Sequence, residues 1–218
     1  DGLTLGNLDE WLHRHHLPQL GDVADRPLRG CVVAYGGIGL LFVDRSDDPE
    51  QRRQTLAHEA GHFIVDYLIP RENVIQRRPE LLDVLDGERE PTDAERFDAL
   101  LADLPIGFHT HLLERDTHGG HLSVVTADVE DRAERLAFEL LAPLQRVLAE
   151  LPSTAQHEIP QLLQERFGLS AGAATRYAGY IERYRPRRPR TLLEAIGLTE
   201  PPDISADNRL AGQPEAES

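Results

Sequence analysis

Apolar and polar positions at the start of the chain predict a helix followed by a β-hairpin. Residues 3–20 carry leucines and one tryptophan at helical spacing, and Pro18 is expected to close this segment. Residues 29–44 contain two β-rich apolar runs on either side of Gly36-Gly37, the dipeptide that a two-residue hairpin turn favours. We therefore expect a buried hairpin here, with Cys31 as core filling.

A capped helix is predicted next, from Asp47-Asp48-Pro49 to about Ile69, where Pro70 should stop it. Its predicted buried face is an apolar stripe at helical spacing, formed by Leu56, Ala60, Phe63 and Tyr67. Gly61 costs a helix interior about 1 kcal/mol relative to alanine, so we expect another backbone or a metal site to approach closely there.

Beyond this helix, the pattern predicts a charged segment and two short strands. Residues 71–120 have the charge and proline content of an insertion, with one helix opened by the capping box Thr92-x-x-Glu95. Strands are predicted at residues 106–114 and 121–126.

Three further helices are predicted before residue 185, and a short one is predicted at residues 191–198. The first covers residues 129–141 and begins at a cap supplied by Thr126 or Asp128. The other two form a hairpin over residues 160–184 around Gly168-Leu169-Ser170, with Gly as C-cap and Ser as N-cap. Helix-turn-helix motifs have similar punctuation, but in so acidic a chain a packing hairpin is favoured over a DNA reader.

A chain of 218 residues has room for one substantial core. We predict a single α+β domain, mostly helical, over residues 1–185, in which residues 71–120 are the insertion and residues 153–185 the C-terminal helical hairpin. Residues 186–218 are rich first in proline and arginine and then in acidic residues, which predicts a largely flexible tail.

Charge and cysteine content narrow the class of protein. The formal net charge is −15, which argues against direct nucleic-acid binding because such binding needs a basic face. No apolar run approaches the roughly 20 residues of a membrane helix, so no membrane association is expected. A single cysteine excludes an internal disulfide framework and favours a cytoplasmic protein.

Candidate chemistry is concentrated in His58-Glu59-Ala60-Gly61-His62, inside the predicted helix. One helical turn places His58 and His62 on the same face, where the two imidazoles can share a metal ion. Glu59 lies one step round the helix, where it can accept a proton from a water molecule that the metal activates. Asp66, one turn further on, either orients an imidazole or faces solvent.

A carboxylate on the later long helix is the candidate third ligand. Glu130 shares a buried stripe with Ala133 and Ala137, and a buried carboxylate must be paired or must hold a metal. Glu134, one turn along, is the rival candidate. Candidate contacts to an oxyanion or substrate come from a second histidine-rich region: His109, His111, His118 and His121.

Two motifs resemble the ImmA/IrrE-type metallo-endopeptidases. The run Arg53-Gln54-Thr55-Leu56-Ala57-His58-Glu59-Ala60-Gly61-His62 is similar to the active helix of that family, which also follows a hairpin. Residues 130–143, which open with Glu-x-x-Ala and end in Leu-Leu-Ala-Pro, are similar to the family's glutamate helix. The resemblance implies a zincin-like core in which His58, His62 and Glu130 bind Zn²⁺, with Mn²⁺ as an alternative, and Glu59 is the catalytic base.

The resemblance also implies a function. It predicts a minimal, stand-alone zinc endopeptidase that cleaves a specific protein partner, commonly a helix-turn-helix transcriptional repressor whose cleavage derepresses genes for stress response or mobile-element transfer. Two alternatives remain open: a DNA-binding regulatory protein with a structural metal site, and a module that binds its partner without cutting it. The sequence indicates neither the cleavage site nor the oligomeric state.

Overall fold

The computed structural model describes residues 2–21, 24–101, 106–114, 124–151 and 159–184 of the chain. Its architecture is α+β, as predicted: helices dominate, and one small antiparallel sheet is built around the hairpin. The elements in chain order are α1 (Leu5–Arg14), β1 (Leu28–Tyr35), β2 (Ile38–Val43), α2 (Pro49–His62), a π-helical segment (Phe63–Leu68), α3 (Ile69–Arg77), a 3₁₀ turn (Pro79–Leu81), α4 (Leu82–Leu85), α5 (Asp93–Leu101), β3 (His109–Glu114), α6 (Val124–Leu141), α7 (Leu144–Glu150), α8 (Ile159–Phe167) and α9 (Ala171–Tyr184).

Residues 1–181 form one compact unit, and the second unit, residues 182–218, is described only up to Tyr184. The predicted tail, residues 186–218, lies outside the described residues, so the predicted domain boundary stays a prediction. No described helix is both long enough and apolar enough to cross a membrane.

The first helix, α1, is shorter than predicted. Thr4 caps it reciprocally with Asn7, and the helix ends at Arg14, ahead of Pro18. The backbone then turns away at His16, whose φ of 57° lies in the left-handed region. The leucine spacing correctly predicted the helix, but the proline was the wrong stop signal.

The hairpin prediction is confirmed. β1 and β2 pair antiparallel around Gly36 and Gly37, whose φ angles of 58° and 77° suit glycine because it has no Cβ to clash. β3 pairs antiparallel with the other edge of β1, so the strand order is β2-β1-β3. β1 is therefore the central strand, and it is buried over most of its length.

The two faces of the sheet pack differently. On one face, Cys31 and Val33 form a core with three leucines of α1, and burial raises the pKa of the Cys31 thiol. The other face meets α2 so closely that a Cβ on Gly30 would lie 2.5 Å from Cγ2 of Thr55. The glycine in β1 therefore allows the motif helix to lie directly on the sheet.

Helix α2 begins as predicted but does not stop where predicted. The Asp48 side chain accepts a hydrogen bond from the Gln51 N–H at 2.8 Å, and Pro49 occupies the first turn. After His62 the chain continues without a break through the π-helical segment into α3. Pro70 lies in the first turn of α3, where its missing N–H is tolerated, so it does not end the helical run.

The predicted apolar stripe describes the buried face only in part, because Tyr67 is buried and Leu56 is not. Leu56 is 43% exposed, whereas Glu59 and His62 are fully buried. The reason is the close approach of α6: a Cβ on Gly61 would lie 2.6 Å from the carbonyl oxygen of Ala133. The expectation that another backbone approaches Gly61 is confirmed, and small and polar residues form the contact face.

The region after α2 is more structured than the predicted single helix. The predicted capping box is present in α5: the Thr92 hydroxyl accepts from the Glu95 N–H, and the Glu95 carboxylate accepts from the Thr92 N–H. Upstream, the buried Arg71 side chain donates to both carboxylate oxygens of Asp86, at 2.7 and 2.9 Å. This ion pair ties α3 to the loop after α4.

The second predicted strand, residues 121–126, is wrong where the structure describes it. Val124 to Thr126 belong to α6, so α6 begins before the predicted caps Thr126 and Asp128. Local β-propensity is overridden here by the long helix that follows. β3 pairs with β1 instead, and His121 lies outside the described residues.

A second core joins the end of α6 to the C-terminal helices. Phe138 stacks on Tyr177 of α9 with ring centroids 4.7 Å apart, and the helical hairpin α8–α9 closes over this core. Gly168 has a φ of 61°, and the Ser170 hydroxyl accepts from the Ala173 N–H, so the predicted turn between these helices is confirmed.

Candidate metal centre

Three ligand atoms converge where α2 crosses α6. The Nε2 atoms of His58 and His62 lie 3.1 Å apart, and each faces Oε2 of Glu130, at 3.3 and 3.5 Å. Helical spacing aligns the two imidazoles, and the close contact at Gly61 brings Glu130 of α6 to them. Among the described residues, this is the group that could hold a metal ion.

The donor set fits a divalent metal ion such as zinc. Zinc–ligand bonds of about 2.0–2.2 Å in a tetrahedron separate neighbouring ligand atoms by roughly 3.3–3.6 Å, close to the separations seen here. Two imidazoles and one carboxylate are also ligands that zinc accepts readily, leaving one position open. A second observation agrees: Oε1 of the fully buried Glu59 has no hydrogen-bond partner among the described residues. Such an atom is costly unless a bound group satisfies it.

Asp66 lies behind His62, in the π-helical segment. Its Oδ2 accepts a hydrogen bond from Nδ1 of His62 at 2.7 Å, so the other ring nitrogen, Nε2, faces the cluster. Burial lowers the pKa of His62, but the hydrogen bonds to Asp66 and Glu130 outweigh it and raise the pKa above its usual value. Of the two alternatives for Asp66, the geometry supports orientation of the imidazole.

His111 lies between the two glutamates of the site. Its Nδ1 is 3.1 Å from Oε2 of Glu59, its Nε2 is 3.0 Å from Oε1 of Glu130, and its ring stacks on His62. It reaches the site because it is paired with Val32 in the sheet, on the face towards α2. Burial lowers the pKa of His111, but the two carboxylates raise it to about 9, which favours a protonated ring with an N–H group towards each glutamate.

The remaining predicted site residues lie elsewhere. Glu134 accepts a hydrogen bond from Nε of Arg176 at 2.8 Å and is not part of the cluster. Glu130, by contrast, belongs to the cluster. Burial raises its pKa, but hydrogen bonds from His111, His58 and His62 lower that pKa well below its usual range. His109 stacks on Tyr67, 6.0 Å between centroids, and His118 and His121 lie outside the described residues.

A cleft of about 300 Å³ opens beside His58 and includes two residues that the sequence analysis missed, Arg29 and Thr55. The pairing of Leu28 with Glu114 and of Gly30 with Leu113 leaves Arg29 as the extra residue of a β-bulge. A glycine next to an arginine at the start of an apolar strand is the sequence signal that could have indicated this bulge.

The fold and the cluster together define a class. An α+β core that brings a His-Glu-x-x-His helix against a later glutamate is an arrangement typical of metallopeptidases. Residues 19–101 match the family model described as Peptidase_M78, IrrE N-terminal-like domain, and this match confirms the ImmA/IrrE resemblance. The comparisons with curated proteins and with solved structures gave no match.

The family match covers only part of the candidate site. It contains His58, Glu59 and His62, and it runs through residues 71–101, the first part of the predicted insertion. Glu130 lies beyond it, so the third member of the cluster is placed by the fold.

Proposed function

We propose that the chain is a zinc-dependent endopeptidase that uses Glu59 as general base. The observation that carries this proposal is the fully buried Glu59 carboxylate, which has one oxygen without a described partner and is linked through His111 to Glu130 of the candidate metal-binding group. Structural zinc sites are closed by four protein ligands, whereas catalytic sites have three and an open position. The described residues supply three, which favours catalysis over the alternative of a structural metal site.

His58, His62 and Glu130 would hold the metal. When bound, the ion would supply Lewis acidity, which lowers the pKa of a water molecule and polarises the scissile carbonyl. Glu59 accepts the proton of the attacking water on its unpartnered oxygen and returns that proton to the leaving amine. Asp66 keeps the Nε2 atom of His62 free of its proton, so that this nitrogen can act as a ligand.

His111 serves as a positioning residue in this proposal. Its two N–H groups fix one oxygen of Glu59 and one oxygen of Glu130, so each glutamate keeps only its other oxygen for chemistry. The predicted role of His111 as an oxyanion donor would require it to release one of these carboxylates. Holding the base and the third ligand in place is the role that the observed contacts support.

The proposed substrate is a specific protein, and we infer a helix-turn-helix transcriptional repressor in the cytoplasm, cleaved during a stress response. The support is the family match over residues 19–101 together with the two motifs. Zinc is proposed over manganese because the ligand separations fit a small tetrahedral site.

The test compares wild type with Glu59→Gln, an almost isosteric change that removes the base. Each zinc-loaded protein is incubated with a protein extract of the cells that encode it, and new protein N-termini are counted by mass spectrometry. We expect new termini with wild type, concentrated in one or a few repressor-like proteins, and a loss of about 10²–10⁴-fold in their rate of formation with Glu59→Gln. Equal sets of termini from both proteins would exclude a catalytic role for Glu59. The alternative of a DNA-binding protein predicts salt-sensitive DNA binding that survives Glu59→Gln.

A further inference from the structure

The cleft beside His58 contains a cation that nothing in the catalytic proposal uses. Two arginines line it, Arg29 from β1 and Arg176 from α9. Nε of Arg176 donates to Glu134 at 2.8 Å, whereas Nε of Arg29 is buried and has no hydrogen-bond partner among the described residues. An arginine is charged at all physiological pH values, so the cleft has one neutralised cation and one that a ligand can neutralise.

The β-bulge explains why Arg29 reaches this cleft. As the extra residue of β1, Arg29 is not opposite a residue of β3, and bulges commonly redirect a side chain towards a functional site. The backbone is fixed on its other side, because the Arg29 carbonyl accepts a hydrogen bond from the Asp44 N–H at 2.8 Å. The position of the side chain is thus built into the sheet.

A second unsatisfied group lines the same cleft. Thr55 is 2% exposed, and its hydroxyl oxygen has no hydrogen-bond partner among the described residues. Buried hydroxyl and guanidinium groups are normally paired, so two unpaired donors lining one cleft indicate an acceptor that is supplied from outside.

We propose that Arg29 and Thr55 form a subsite for a carboxylate side chain of the peptide substrate, an aspartate or a glutamate near the scissile bond. The inference rests on the proposed function, since it makes the cleft the path of a bound peptide. Carboxylates are the acceptors that arginine binds most strongly, and hydrogen bonds to charged groups are stronger than neutral ones. The location beside His58 puts this subsite next to the reacting bond.

The overall charge of the protein does not provide this preference. A net charge of −15 repels acidic peptides at long range, but surface charges are screened over about 8 Å at physiological ionic strength. A local preference for acidic residues would therefore have to arise from donors inside the cleft. A substitution inside the cleft should therefore change the preference for acidic residues, whereas the same change of charge elsewhere on the protein should not.

The experiment pans a random peptide display library on zinc-loaded Glu59→Gln, which retains peptides without cutting them, and sequences the bound fraction. We expect Asp and Glu to be enriched about tenfold over Asn and Gln at one register of the recovered motif. Adding Arg29→Gln to this background should abolish the enrichment, and Arg29→Lys should retain part of it. Thr55→Val, which replaces an unpaired hydroxyl with a methyl group, should weaken the enrichment without lowering the melting temperature.

Arg14→Gln is the matched control. It changes the net charge by the same amount but lies on α1, against the opposite face of the sheet. If Arg14→Gln lowers the acidic enrichment as much as Arg29→Gln, or if Arg29→Gln leaves it unchanged, the subsite is refuted.

A parallel arm digests the selected peptides with the wild-type protein. Cleavage without any acidic preference refutes the subsite and leaves the peptidase proposal intact. Acidic enrichment that depends on Arg29 without any cleavage refutes the peptidase proposal and retains the subsite as a peptide-binding feature.

Discussion

Helices α2 and α9 both have 14 residues, yet they are buried for different reasons. The buried residues of α9 are small or large apolar side chains: Ala173, Ala174, Tyr177, Ala178 and Ile181. The buried residues of α2 are mostly small or polar: Thr55, Ala57, Glu59, Gly61 and His62. Helix α9 is therefore held in place by apolar packing. Helix α2 carries the candidate site residues and has little apolar surface of its own to bury.

Close backbone contacts and hydrogen bonds hold α2 against its neighbours. Gly30 and Gly61 allow the sheet and α6 to approach α2 from two sides. The Arg53 side chain donates to the carbonyl oxygens of Phe167 and Gly168 at the end of α8, and Ser170 donates to Gln54 at 3.0 Å. A helix that buries glutamate and histidine therefore depends on its surroundings more than on its own apolar surface.

The largest expected effect separates the two glutamates of α6. Glu130→Ala should reduce zinc affinity by more than about 100-fold, beyond the loss usual for outer residues, because it removes one of three ligands. Glu134→Ala should leave zinc content unchanged, because Glu134 is paired with Arg176. Zinc measured by atomic emission after dialysis against a weak chelator tests this, and the assignment is refuted if only Glu134→Ala loses metal.

Gly61→Ala tests the close contact between α2 and the backbone of α6. The added methyl group gains about 1 kcal/mol of helix propensity, but it would lie 2.6 Å from a backbone oxygen of α6, and overpacking costs about 1–3 kcal/mol. The two terms together predict a net loss of up to about 2 kcal/mol in the free energy of unfolding, with weaker zinc binding.

The matched control for this substitution is Gly179→Ala in α9. A Cβ there meets nothing within 4 Å, so the variant should gain up to about 1 kcal/mol. Urea unfolding of the zinc-free proteins gives both values. Stabilisation by both substitutions would show that α6 does not press on α2.

Asp66→Asn should have a smaller effect, confined to the metal. The amide keeps the shape of the carboxylate but loses the charge that holds the Nδ1 proton of His62, so zinc affinity should fall about tenfold. The melting temperature of the zinc-free protein should change little. Competition with a chromophoric chelator measures the affinity, and an unchanged value would leave Asp66 without a role at the site.

Leu56→Ala should have the smallest effect, although Leu56 belongs to the apolar stripe that the sequence predicts to be buried. Because the side chain is 43% exposed, the free energy of unfolding should change by no more than about 0.5 kcal/mol. A loss of about 2 kcal/mol or more by urea unfolding would place Leu56 in the core instead.

The sequence predicted the elements of the fold better than their faces and ends. Gly36-Gly37 and Gly168-Leu169-Ser170 have local signals that determine a turn, and both turns are present. The buried face of α2 could not be predicted, because apolar spacing indicates a buried face only where apolar side chains make the contact. The predicted stop at Pro70 was also wrong. A π-helical segment precedes α3, so Pro70 falls in the first turn of a new helix, where proline is tolerated.

The candidate site shows the same division. His58, Glu59, His62 and Glu130 were identified from helical spacing and motif resemblance, and the structure brings the two histidines and Glu130 together. His111 was one of four histidines named without a means to choose among them, because its position depends on the pairing of β3 with β1. Arg29 and Thr55 were missed, since a bulge and an unpaired hydroxyl are properties of the folded chain.

The bond from Arg53 to the carbonyl of Gly168 joins positions 115 apart in the chain. At about 5–20 residues per second, a ribosome needs roughly 6–23 s to synthesise the segment between them. For most of that interval the nascent chain contains His58, Glu59 and His62 but lacks the two carbonyl groups that anchor α2. The helix that carries the candidate metal centre is therefore expected to gain this anchor only after residue 168 has been synthesised.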